Sequence, residues 1–138
     1  MDGKLVWKSG MSFTAETNSG FNVNMDTPVD YGGNGTGPSP MELVLVSLGG
    51  CTAMDVISIL EKKRQDVTNF EILLHADRAT EHPKVFTEIT IEFVVTGHGI
   101  DEEAVKRAVE LSETKYCSAS AMLSKTAKIH TKITVKEA

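Results

Sequence analysis

Apolar and polar residues alternate over the first part of the chain, then give way to a long apolar stretch. Leu5-Val6-Trp7 and Met11 to Glu16 flank Ser9-Gly10. Two strand-forming runs around a turn dipeptide predict a hairpin. Phe21, Val23 and Met25 alternate with polar residues after Asn18-Ser19-Gly20, which predicts a third strand. Residues 28–40 carry three prolines, four glycines and two apolar residues, Val29 and Tyr31. This predicts a loop, and a structureless loop of that length in a compact domain is more often functional or interfacial than idle.

A helix is predicted from Ser39. Ser39 suits the N-cap and Pro40 the first helical position, where a missing N–H is harmless. Ser39-Pro40-Met41-Glu42 fits a capping box, with Glu42 reaching back to the cap. From Met41 to Leu60 apolar residues fill nearly every face, which predicts a helix buried on most sides. Such a helix is either wrapped by sheet or packed across a subunit interface. Gly49-Gly50, just before Cys51, predicts close approach of another backbone. The stretch is long enough to span a bilayer, but it contains Glu42 and Asp55. A carboxylate at membrane depth costs about 2.5–3.5 kcal/mol even on the lenient scale. The expectation is a buried helix in a cytoplasmic protein with no membrane contact. The first residues carry no signal-peptide pattern.

Alternation returns at Phe70 to Asp77 and at Val85 to Val95, predicting two more strands. Asp101 is the predicted N-cap of a second helix, with Glu102 and Glu103 in its first turn. A short helix restarts at Cys117, and Lys128 to Lys136 alternates as a last strand. The order β-β-β-α-β-β-α-α-β groups strands and helices rather than alternating them, so the fold class is α+β.

Composition narrows the function. The 138 residues make one domain: N-terminal strands over 1–27, the glycine-proline loop over 28–40, and the remainder over 41–138. A net charge of −5 and a pI near 5.3 speak against a nucleic-acid partner. Basic residues cluster late: five lysines and one glutamate follow from Lys115 onward. Lysines on an edge strand usually block edge pairing.

Two cysteines remain to be explained. Cys51 and Cys117 lie 66 positions apart, which excludes CxxC redox and zinc-ribbon spacing. They are either small core hydrophobes or a reactive pair, and the second reading needs proximity and a thiolate-stabilising environment. The four histidines have no metal-ligand spacing, so no metal is expected. Gly32 to Gly37 lacks the Lys-Ser/Thr of a phosphate loop; its glycines fit close backbone approach better.

Pro38-Ser39-Pro40-Met41-Glu42-Leu43, followed by Ser47-Leu48-Gly49-Gly50-Cys51-Thr52-Ala53-Met54-Asp55, resembles the central-helix motif of the OsmC/Ohr superfamily of osmotically inducible and organic hydroperoxide resistance proteins. Lys115-Tyr116-Cys117-Ser118-Ala119-Ser120 resembles its second cysteine motif, most like the YhfA-like subgroup. The resemblance implies two antiparallel sheets around two central helices in an intertwined homodimer. It implies a thiol peroxidase without cofactor, acting on organic hydroperoxides and recycled by an external dithiol. Cys51 would be the peroxidatic thiolate, Cys117 its resolving partner and Glu42 the catalytic carboxylate. Met54, Leu48 and Tyr31 would line the substrate site. Family peroxidases place an arginine in the N-terminal region, whereas no lysine or arginine occurs between Lys8 and Lys62 here. The alternative is therefore a non-enzymatic small-molecule-binding or redox-sensing protein on the same scaffold.

Overall fold

Ser9-Gly10 makes the turn its dipeptide predicts, with Gly10 at a left-handed φ of 53°. In the computed structural model, which describes residues 1–138, β1 (Gly3–Ser9) pairs antiparallel with β2 (Ser12–Thr17). Strand β3 (Asn22–Met25) adds to the other edge of β2, so Phe13 lies opposite both Trp7 and Met25. This sheet belongs to the first of two compact units, Met1–Val44; the second is Leu45–Ala138.

The glycine-proline segment is not structureless. It is folded around one carboxylate, that of Asp26, which is 1% exposed. Asp26 Oδ1 accepts the Thr27 N–H at 2.7 Å. Its Oδ2 accepts the N–H groups of Asn34 and Thr36, both at 3.2 Å, and the Thr36 hydroxyl at 2.6 Å. Gly33 lies so close to Thr27 that a Cβ there would overlap the Thr27 carbonyl oxygen, which gives that glycine a steric reason. Alternation carries no trace of this closure, because three of its four donors are backbone N–H groups.

These donors hold the Asp26 carboxyl below the usual carboxylate range, the Thr36 hydroxyl most and the Thr27 N–H next, against the opposing effect of burial. A depressed native pKa gives stability that is present above the unfolded value and lost as pH falls through the native one. Asp26→Asn is therefore expected to loosen residues 27–37 already at neutral pH, while the wild-type loop opens only in acid. Limited proteolysis against pH checks this. Equal protection of the two proteins at pH 7 would refute it.

The second unit begins within α1 (Pro40–Lys62). The capping box forms as its spacing predicts. The Ser39 N–H and hydroxyl donate to Glu42 Oε2 at 2.8 and 2.9 Å, and the Glu42 N–H points back to Ser39 Oγ at 3.4 Å. Burial differs from expectation. Leu48, Gly49, Thr52, Val56 and Leu60 form a buried stripe with a four-residue step, while Val46 and Met54 are exposed. One chain thus covers one face of a helix that is apolar all round. By length and composition alone this helix could also cross a bilayer. Gly49 admits a side chain rather than a backbone: its Cβ would come within 2.7 Å of Leu74 Cδ1.

Strands β4 (Asp66–Arg78) and β5 (Phe86–His98) pair antiparallel, but β6 (Lys128–Glu137) runs parallel to β5. The expectation of two antiparallel sheets is corrected here: the second sheet is mixed. The reason is the connection. The chain leaves β5 and returns through α2 (Glu102–Leu111), a π-helical turn (Ser112–Tyr116) and α3 (Ser118–Leu123), a helical crossover of the kind parallel strands require. Asp101 caps α2 as expected, accepting the Glu103 N–H at 3.0 Å. The buried set contains Ile89, Ile91, Phe93 and Val95 of β5, Val105, Ala108 and Val109 of α2, and the α1 stripe. Each large apolar member contributes about 1.5–3 kcal/mol by leaving water. Strand β6 is an edge, with Lys128, Lys132 and Lys136 exposed along it.

Candidate active site

Cys51 lies on α1 one residue before buried Thr52, so the stripe that anchors the helix also fixes the cysteine. Asp55 is four residues further on, hence on the same helical face. Cys117 comes from the crossover. Its N–H donates to the Ser112 carbonyl at 2.8 Å, closing the π-turn, and its sulfur caps α3 by accepting the Ser120 N–H at 3.3 Å. The two sulfurs and an Asp55 carboxylate oxygen all lie within 4.8 Å of one another. Both thiols are free; Cys51 is part-exposed and Cys117 buried.

A short hydroxyl chain holds the carboxylate. Ser112 Oγ donates to Asp55 Oδ2 at 2.9 Å and lies 2.8 Å from Thr52 Oγ1. A hydroxyl has one proton, and that of Ser112 goes to the carboxylate, so Thr52 donates to Ser112. Thr52 and Ser112 are buried, which makes this a fixed support rather than a solvent-exchanging one.

Cys117 has its thiol pushed up to about 11. Burial is the main cause; the Ser120 N–H works against it, and the neighbouring Cys51 and Asp55 add to it. At neutral pH Cys117 is a protonated thiol. Asp55 takes part in no ion pair with a lysine or arginine. It borders a groove of about 220 Å³ whose other walls are Ser58, Ile59, Lys62, Leu111 and Tyr116. Lys115 is set over the Tyr116 ring, 5.2 Å from its centroid. A cavity of about 650 Å³ in the first unit, lined by Met1–Leu5 and Ala15–Ser19, touches no cysteine.

The matched family model is that of OsmC-like protein, over residues 33–132. The chain belongs to the OsmC family. Protein YhfA of Escherichia coli K12 is 45% identical to it over 130 residues, 94% of this chain and 93% of that one. The crystal structure of a hypothetical protein from Aquifex aeolicus VF5 has a TM-score of 0.87 at 36% identity, covering 99% of this chain and 96% of that one. An organic hydroperoxide resistance protein OsmC from Legionella pneumophila shares the fold, with a TM-score of 0.69 at 13% identity and 96% and 95% coverage.

In this OsmC-family chain the sequence-predicted site residues are distributed over both units. Cys51 and Cys117 come together. Glu42 lies in the first unit, where Ser39 occupies its Oε2 and holds its carboxyl below the usual range; the Ser39 N–H is the larger influence. Leu48 is fully buried in the core. Met54 is exposed on α1, and Tyr31 is exposed on a 3₁₀ turn (Val29–Tyr31) of the first unit. Thr52, Asp55 and Ser112 are the members that motif reading passed over. The i, i+4 spacing of Cys51 and Asp55 was the available signal; Ser112 had none, because the crossover alone brings it there.

Proposed function

We propose that this chain is a thiol-dependent peroxidase that reduces organic hydroperoxides through Cys51 and Cys117. The single observation that carries the reading is the pairing of a part-exposed sulfur with a buried, protonated one beside it. The Cys51 thiolate attacks the outer peroxide oxygen, the O–O bond breaks, and the alkoxide leaves as an alcohol after taking a proton. Cys51 becomes a sulfenic acid. The Cys117 sulfur then attacks the Cys51 sulfur, its thiol proton leaves with the hydroxyl as water, and a disulfide remains. An external dithiol reduces that disulfide by exchange. In this reading Asp55, beside both sulfurs, is the carboxylate that receives and returns these protons, whereas the family resemblance implies Glu42 as the catalytic carboxylate. The groove beside Asp55, walled by Ile59, Leu111 and Tyr116, favours an apolar organic group over a bare hydrogen peroxide. Family membership and the naming of the Legionella fold neighbour for organic hydroperoxide resistance support the class.

The working unit in this reading is a homodimer in the cytoplasm, where thiols stay reduced. Exposed Val46 and Met54 on an otherwise apolar α1 support a second copy as the missing cover. Reduced protein is expected to consume cumene hydroperoxide with dithiol as reductant, and Cys51→Ser to do nothing above background. The lack of an arginine or lysine ion-paired at Asp55 favours the second reading, a redox-sensing or ligand-binding protein. Wild-type turnover no faster than that of Cys51→Ser would select it.

A further inference from the structure

We infer that reduced Cys51, Asp55 and Cys117 form a binding site for a thiophilic divalent cation of the zinc type. Two thiolate sulfurs and a carboxylate oxygen are zinc ligands, with Zn–S near 2.3 Å and Zn–O about 2.0–2.2 Å. The tetrahedron those lengths define has edges of roughly 3.5–3.8 Å. The three donor atoms already lie within 4.8 Å of one another, so side-chain adjustments of about an ångström close the set. They come from two elements fixed by buried groups, α1 through Thr52 and the crossover through Ser112.

Two further features fit an ion better than a bare redox pair. The carboxylate has an outer-shell partner in the Ser112 hydroxyl, itself held by Thr52, and the Cys117 sulfur accepts the Ser120 N–H. Metal ligands are oriented by such partners, and losing one costs roughly 10–100-fold in affinity. No lysine or arginine pairs with Asp55, so a bound cation meets no competing protein cation at that carboxylate. Cys51 and Asp55 are part-exposed, which gives the ion an entry. Three protein ligands leave a fourth position for water or a small anion. Binding displaces the thiol protons to solvent and caps both sulfurs without oxidising them.

The site uses the side chains of the peroxidase reading, but its test contains no peroxide, so either can fail alone. Cobalt(II) is added to reduced, metal-free protein, and the sulfur-to-cobalt charge-transfer absorption is followed. One ion per chain is expected, with tetrahedral visible bands, and zinc should displace it. Ser112→Ala is expected to weaken zinc by about ten-fold or more, as an outer-shell loss does. Wild-type protein carboxamidomethylated at Cys51, which needs no mutation, should lose the charge-transfer band. Absence of that band in reduced wild type, or its survival after Cys51 is alkylated, would overturn the assignment.

Discussion

Cys117→Ser is expected to reduce one equivalent of hydroperoxide per chain and then stop. Its Cys51 still carries out the first displacement, because that step needs the part-exposed sulfur alone. The sulfenic acid then lacks the sulfur that in the wild type lies within 4.8 Å. A serine hydroxyl does not replace it, since it forms no disulfide. Dimedone should label Cys51 of the variant stoichiometrically, read by mass, while wild type becomes a disulfide and resists labelling. Steady-state consumption with dithiol should fall to the level of a single burst. Sustained wild-type turnover in Cys117→Ser would remove Cys117 from the cycle and assign resolution to the external thiol.

The largest loss of stability is expected from Phe93→Ala. Phe93 is fully buried at the middle of β5, the central strand of the second sheet, opposite Ile72 on one side and Ile133 on the other. Removing its ring forfeits the transfer energy and leaves a cavity that flanking strands cannot close, about 3–5 kcal/mol together. Against a typical total of about 5–15 kcal/mol this is a large share. Urea denaturation should show a lower midpoint with an unchanged slope. A loss below about 1 kcal/mol would mean that the site collapses freely, contrary to its place between two paired strands.

Local chemistry was legible where one segment contains its own partners. Ser39 and Glu42 sit three residues apart and do cap α1; Asp101 caps α2 by accepting the Glu103 N–H. Alternation located all six strands, although their ends extend further, to Asp66 in β4 and His98 in β5. Alternation does not give strand direction, because a period of two is the same whichever way the chain runs; the sign that β6 returns parallel to β5 was the helical crossover between them. The cysteines were legible as a pair through motif resemblance. The Ser112 support was not, since a serine 60 positions from Thr52 carries no local mark. The near-uniform apolarity of α1 announced burial on most sides, by sheet or by a second subunit, whereas one chain buries a single stripe of it.

The parallel return of β6 has a consequence for the order in which the molecule assembles. The β4–β5 hairpin can zip locally, whereas β6 must wait for the intervening crossover to fold back on the sheet. Cys117 lies on that crossover, so the sulfur pair exists only where the crossover is folded back. A nascent or half-unfolded chain therefore has no paired thiols. A bond between them would in turn tie a loop of 66 residues, removing about 4 kcal/mol of denatured-chain entropy on the simplest polymer account. Oxidation at this place is thus also a clamp: it ties the crossover to α1.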